Sequence, residues 1–318
     1  MSNLEIGGFI EFPSYTGELY HENAIALNSA RNCLAYLIEL KKIKKIALPK
    51  FLCASVGDIC KKYNVKVNYY SIGGDFLPKE YDCEEDEWFY LVNYYGQIDN
   101  KRIEEFKKWK KHLIVDNVQA YFQMPVQNVD TIYTCRKYFG VPDGAFLYTN
   151  STIQHELECD RSSARMMHLL GRFEESANKY YYSYTDNEEL FENLPLRKMS
   201  KLTENLLRSI DYSAVKKARE ENYSYLHDRF SNLNKLNVNF SIAPFMYPLY
   251  LQNGWLVRKK LQKKQIYIPT LWPDVFDLCQ ESEVEYDMAK NILPLPCDQR
   301  YDINTMKYLV REVRTCLD

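Results

Sequence analysis

The chain has 318 residues, room for a large domain with a small one beside it, and 46% hydrophobic against 26% charged residues is the balance of a globular protein. A formal net charge of −2 carries no electrostatic footprint for nucleic acid or an anionic membrane. Nine cysteines without a CxxC pair and only five histidines argue against a bound metal and for reduced thiols in a cytoplasmic protein; no apolar run nears the roughly 20 residues of a membrane helix.

From residue 24 onward, helix and strand patterns alternate. SARNCLAYLIELKK (29–42) predicts a helix with Ser29 as its N-cap, and KIALP (45–49) a short buried strand. CASVGDICKKYN (53–64) predicts a helix, VKVNYYSI (65–72) a strand, and WFYLVNYYG (88–96) a strand ending in glycine. RIEEFKKWKK (102–111) reads as a helix with a charged outer face. HLIVDNVQA (112–120) reads as a strand with a polar far end, followed by strands TIYTC (131–135) and GAFLYTN (144–150). Residues 199–230 predict long helices, and YYYSY (180–184) reads as half-buried helix faces or interface surface. Strand patterns return at 245–253 and 265–272, and a closing helix with Asp302 as its cap is predicted over 302–317.

This alternation, with near-continuous apolar strands, predicts a mostly parallel sheet covered on both faces. The domain boundary falls near residue 232: a large domain over 1–232 and a small α+β domain over 233–318. Ligands bind such sheets at the carboxyl ends of the strands. Those ends carry Asn93-Tyr94-Tyr95-Gly96, Asp116-Asn117-Val118-Gln119 and the loop that begins with Lys137.

Lys137 stands in TCRKYFGVPDGAFL (134–147), between a β-like run and a turn-rich loop. A lysine enclosed beside another cation, here Arg136, has a lowered pKa and a free amine able to condense with an aldehyde. Asp116, behind the apolar Leu113-Ile114-Val115, would sit at the sheet edge, where a carboxylate can hold a pyridine nitrogen protonated. A helix opening at Ser29 presents free N–H groups to a phosphate. Each feature alone is weak: strand-terminal aspartates are usually turn formers, lone lysines usually surface groups, and Ser-initiated helices routine.

Together, and in this order, these segments resemble the DegT/StrS-type nucleotide-sugar aminotransferases of PLP fold type I. VDNVQA (115–120) is similar to that family's aspartate segment, and TCRKYFGVPDGA to its lysine segment, with Gly144 seven residues after Lys137. NYYGQ (93–97) echoes a strand end that places Tyr95 near the cofactor or substrate. KAREENYSYL (217–226), QIYIPTLWP (265–273) and residues 292–310 resemble the approach to, and body of, the C-terminal domain. The resemblance runs from about residue 24 to the end. It implies a three-layer large domain plus a small one, pyridoxal 5′-phosphate as cofactor, and a homodimer with its sites at the interface.

The site it implies has Lys137 and Asp116 as catalytic residues, with Ser29, Ala30, Arg31, Tyr95, Gln119, Thr134 and Arg136 also binding the cofactor. The reaction it implies moves an amino group from an amino-acid donor, L-glutamate, to a keto-sugar linked to a nucleotide, in polysaccharide or glycan biosynthesis. Lys137 would act there as general base.

Three phosphate ligands depart from the family pattern. The glycine–threonine pair of its phosphate loop is Ala30-Arg31 here, the serine five residues before the lysine is Ile132, and LPLRKMS (194–200) lacks the asparagine lent to a partner subunit. Arg31 and Arg136 could compensate, because guanidinium matches phosphate in a bidentate manner, and Thr134 could replace the serine hydroxyl. Two further readings stay open: another reaction of the same cofactor, or a degenerate protein of this fold serving as a binding or regulatory dimer.

Overall fold

The computed structural model describes residues 6–317. Its centre is a seven-stranded sheet of β1 (Ile25–Leu27), β2 (Lys45–Pro49), β3 (Lys66–Tyr70), β4 (Trp88–Val92), β5 (Leu113–Asp116), β6 (Asp130–Thr134) and β7 (Ala145–Tyr148), in the order β1-β7-β6-β5-β4-β2-β3. β7 alone runs against its neighbours β1 and β6; the other pairings are parallel. Every residue of β5 and β6 is buried, so these central strands cannot show polar–apolar alternation, as expected of a sheet covered on both faces.

Three helices connect the parallel strands: α1 (Ala30–Lys41), α2 (Ala54–Lys62) and α3 (Asn100–Trp109). α1 begins where Ser29 Oγ accepts the Asn32 N–H at 3.2 Å, and ends at Lys42, whose φ of 54° breaks the helical run. Its face from Asn32 to Ile38 is buried against the sheet. Because β1 is antiparallel to β7, and β7 to β6, the carboxyl end of β1 lies on the same edge as those of β4, β5 and β6. The amino end of α1 therefore opens on that edge too.

After β7 come α4 (Met167–Glu174), α5 (Tyr181–Asn193), α6 (Lys201–Leu207) and the long α7 (Tyr212–Phe230). The C-terminal part holds β8 (Met246–Tyr250), α8 (Gly254–Lys263), α9 (Val275–Leu278), α10 (Val284–Asn291), β9 (Ile292–Pro296) and α11 (Ile303–Leu317). α7 packs against α11 and β8, so the helix just before residue 232 makes its contacts with the layer after it.

Most of the predicted elements are present, with strand ends trimmed. Residues 94–96 form a short 3-10 turn instead of continuing β4. The segment 265–272 is a correction: it forms no strand, and the partner of β8 is β9, antiparallel from Met246↔Pro296 to Tyr250↔Ile292. Gln265 and Trp272 have φ of 60° and 57°, which ends the pleat at both margins, while Ile268 and Trp272 still supply buried apolar side chains. Apolar content alone cannot separate a buried irregular segment from a strand.

Candidate active site

Three segments meet at the carboxyl edge of the sheet: Asp116 at the end of β5, the 135–144 loop between β6 and β7, and the amino end of α1 after β1. The loop closes at Gly144, whose φ is 110° and where an added Cβ would meet Thr203 Cγ2 at 2.8 Å. Only glycine takes that backbone conformation without strain, and it returns the chain into β7.

Asp116 is buried at 3% exposure. Its Oδ2 accepts from the Tyr90 hydroxyl at 2.8 Å and its Oδ1 from the Val118 N–H at 2.9 Å. Burial raises its pKa, opposed first by the charge of Lys137 and then by these two bonds.

Lys137 is reached by solvent, yet protein closely surrounds its amine. That enclosure lowers its pKa; Asp116 and Cys53 oppose the shift, and Arg136 adds to it. Asp116 and Lys137 thus share an electrostatic environment, but among the described residues they form no ion pair. The Lys137 Nζ lies 5.6 Å from the centre of the Phe245 ring, so the C-terminal part supplies one wall.

The neighbouring Tyr138 is held from all sides. Its carbonyl accepts from Gln299 Nε2 at 2.6 Å and Arg219 Nη2 at 3.4 Å, its hydroxyl donates to the Gln119 carbonyl at 2.7 Å, and the Arg219 guanidinium lies 4.3 Å from its ring centre. Such clamping fixes the backbone from which Lys137 projects.

Gln119 is buried behind Asp116; its Oε1 accepts from the Tyr95 N–H at 2.7 Å, and its Nε2 has no partner among the described residues. The Tyr95 ring packs between Phe76 and Trp272, with centroids 5.5 and 6.0 Å away, so it is committed to aromatic packing and not to Lys137. Thr134 ends β6, buried, two residues before Arg136.

At the other end of the site, Ser29 caps α1, followed by the half-buried Ala30 and Arg31. Arg31 Nη1 is buried with no hydrogen-bond partner. Arg136 pairs with Glu188 of α5 and stacks 4.1 Å above the Phe191 ring centre. Burial, with Arg31 and Arg165 adding, holds the Arg136 pKa down to about 10. The structure therefore brings Ser29, Ala30, Arg31 and Arg136 to one end and Asp116, Gln119 and Lys137 to the other. Sequence reasoning missed Tyr90, Tyr138, Arg165, Arg219 and Phe245. Tyr138 stands beside Lys137 in the quoted motif and Arg219 within KAREENYSYL, but the roles of all five depend on tertiary packing, which no local pattern shows.

No protein-family model matches the chain, and no curated protein matches it. Solved structures do. NtdA from Bacillus subtilis, solved with bound cofactor PMP, superposes with a TM-score of 0.66 at 12% identity over 95% of this chain and 78% of its own. DesV of S. venezuelae gives 0.64 at 12% identity over 92% and 84%. The sugar aminotransferase CalS13 from Micromonospora echinospora gives 0.65 at 10% identity over 92% and 87%. What the chain shares with them is the fold, PLP fold type I: a mostly parallel seven-stranded sheet with helices around it.

Proposed function

We propose that this chain is a pyridoxal-5′-phosphate-dependent aminotransferase, transferring an amino group from L-glutamate to a nucleotide-linked keto-sugar in glycan biosynthesis, and working as a cytoplasmic homodimer. The observation that supports the reading is that Asp116 and Lys137 follow neighbouring strand ends at one edge of the sheet, near enough for the charge of each to shift the pKa of the other. Sugar aminotransferases among the structures of the same fold support the acceptor class. Large exposed apolar side chains on the adjoining helices α4 and α5, Phe173 at 92% and Tyr182 at 81%, support a second copy covering these helices.

The residues fit the cofactor on two counts. A buried guanidinium nitrogen of Arg31 lacks a partner beside a capped helix start, which suits a phosphate. An amine whose pKa is lowered by its surroundings stands within charge range of a buried carboxylate without pairing with it, which suits an aldehyde at one end of a ring and a basic nitrogen at the other. When bound, the cofactor supplies a reactive aldehyde and an electron-withdrawing ring.

The protein's own residues divide the remaining work. Lys137 Nζ, with its depressed pKa, would be the amine that bonds the aldehyde and, once displaced by the donor, the base that takes the proton from the donor's α-carbon and delivers it to the carbon that carried the aldehyde. Asp116 Oδ1 and Oδ2, steadied by Tyr90 and Val118, offer a fixed negative charge to a protonated ring nitrogen. Gln119 Nε2 offers a hydrogen bond to a ring substituent. Ser29, Ala30, Arg31 and Arg136 hold the phosphate, and Thr134 closes the strand end behind them. Tyr95 acts through its N–H, which fixes the Gln119 amide.

Purified protein mixed with pyridoxal 5′-phosphate should gain a visible absorbance band, and borohydride should fix the added mass on the peptide containing Lys137. K137A should lose both while keeping its melting temperature. L-glutamate should bleach the band and release 2-oxoglutarate. A band that ignores every amino donor would point to another reaction of the same cofactor, and a protein that takes up none would be a binding or regulatory dimer. A K137A variant that retained activity would refute the role given to this lysine.

A further inference from the structure

Arg165 lies in a short 3-10 turn before α4, and its side chain is 8% exposed. One nitrogen, Nη2, donates to Asp160 Oδ2 at 2.8 Å. The others, Nε and Nη1, are buried and have no hydrogen-bond partner. An unpaired buried N–H is costly, and more so on a charged group, so two on one guanidinium mark a missing acceptor.

The direction of that acceptor follows from what surrounds Arg165. Asp160 Oδ2 also accepts from Asn28 Nδ2 at 3.2 Å, which ties Arg165 to the residue just before the Ser29 cap. Phe191 lies beneath both Arg136 and Arg165, with guanidinium carbons 4.1 and 5.3 Å from its ring centre. Arg31 holds the third unpaired element, its buried Nη1, and no carboxylate pairs with it among the described residues. The charges of Arg31 and Arg165 both depress the pKa of Arg136, as expected where three guanidiniums crowd together. Two carboxylates in the cluster are committed: Glu188 to Arg136 and Asp160 to Nη2 of Arg165. Asp143, whose charge also reaches Arg136, is bonded to Ser200 and Thr203.

We propose that Arg165 is an anion ligand that completes, with Arg31, Arg136 and the amino end of α1, a cup for a phosphate-monoester dianion. The unpaired Nε–H and Nη1–H groups, on opposite edges of the guanidinium plane, each offer one charge-assisted hydrogen bond, and the first N–H groups of α1 add donors of their own. The cup stands on these contacts; that its occupant is the cofactor's phosphate rests on the function proposed above.

The test compares wild type, R165Q and R165K, each checked for a native circular-dichroism spectrum and a cooperative melt. Each is titrated with pyridoxal 5′-phosphate, with pyridoxal, which lacks the phosphate, and with inorganic phosphate. Loss of one charge-assisted hydrogen bond should weaken pyridoxal 5′-phosphate roughly 10- to 100-fold in R165Q. Pyridoxal should change less than about twofold. R165K, which keeps the charge and loses the guanidinium, should fall between. Inorganic phosphate should compete with pyridoxal 5′-phosphate in wild type and fail to do so in R165Q.

A folded variant with the wild-type ratio of the two affinities overturns the proposal, as does equal loss of both ligands, which would mark Arg165 as structural. If R165Q does not fold, R165K decides by the same ratio. Inorganic phosphate binding that depends on Arg165, in a protein that never reacts with either aldehyde, would uphold the cup and reject the aminotransferase. A Lys137 adduct indifferent to both phosphate and Arg165 would do the reverse.

Discussion

At the scale of single residues, buried polar groups separate the site from its scaffold. His21 belongs to the scaffold: it is fully buried, its Nε2–H donates to the Tyr121 carbonyl at 2.8 Å, and its Nδ1 accepts from the Tyr148 hydroxyl at 3.2 Å. Burial lowers its pKa from 6.5 to about 4, with the Tyr121 bond opposing. The unfolded chain therefore takes up a proton near pH 6.5 and the folded one only near 4, so acidification through that window favours unfolding. Between pH 7 and 5 this one residue should cost about 2 kcal/mol of stability, and H21Q should flatten that part of a urea-denaturation profile. If H21Q and wild type lost stability in parallel, another group would be responsible. Lys137 differs from His21 because solvent reaches it, and only an accessible group can meet a ligand. Residue type suggested both Lys137 and Asp116, but whether they share a site depended on tertiary packing.

At the scale of elements, turns and caps were easier to read than strand ends. Ser29 and Asp302, read as caps from the sequence, each accept an N–H three residues on, as do Asp99 and Asp211, which the structure adds. The loop after Lys137 contains two glycines with different duties. At Gly140 the nearest atom to an added Cβ is Leu169 Cδ2 at 3.9 Å, whereas Gly144 combines a φ of 110° with contacts of 2.8 Å to Thr203 and 3.2 Å to Met199. G144A should therefore destabilise the protein by roughly 2–4 kcal/mol, while G140A should stay within about 0.5 kcal/mol in the same denaturant titration. Equal effects would show that loop entropy, and not the left-handed backbone, sets the requirement. The segment 265–272 read as a strand because its apolar residues are real core residues. Nothing local shows that β9 already occupies the place beside β8.

At the scale of the whole molecule, Arg219 links the lysine loop to the C-terminal part. Fully buried on α7, it donates to the carbonyls of Pro244 and Tyr138 at 2.9 and 3.4 Å and to Gln299 Oε1 at 2.8 Å. R219M should cost roughly 3–5 kcal/mol, because it leaves several buried carbonyls without a donor, and should broaden the dependence of Lys137 adduct formation on pH. A variant that melts like wild type would show that solvent fills the gap without cost. The sequence by itself determined the alternation of strands and helices, the caps, the glycine that closes the lysine loop, and the candidates Lys137 and Asp116, because each rests on periodicity or on residues close in the chain. Only the tertiary structure decided that β9 pairs with β8, that Tyr95 turns into an aromatic cluster, that Arg219 clamps Tyr138, and that Asp160 joins Arg165 to Asn28 just before α1. Those outcomes arise from contacts between residues dozens to well over a hundred positions apart, selected by shape and by the pairing of buried polar groups.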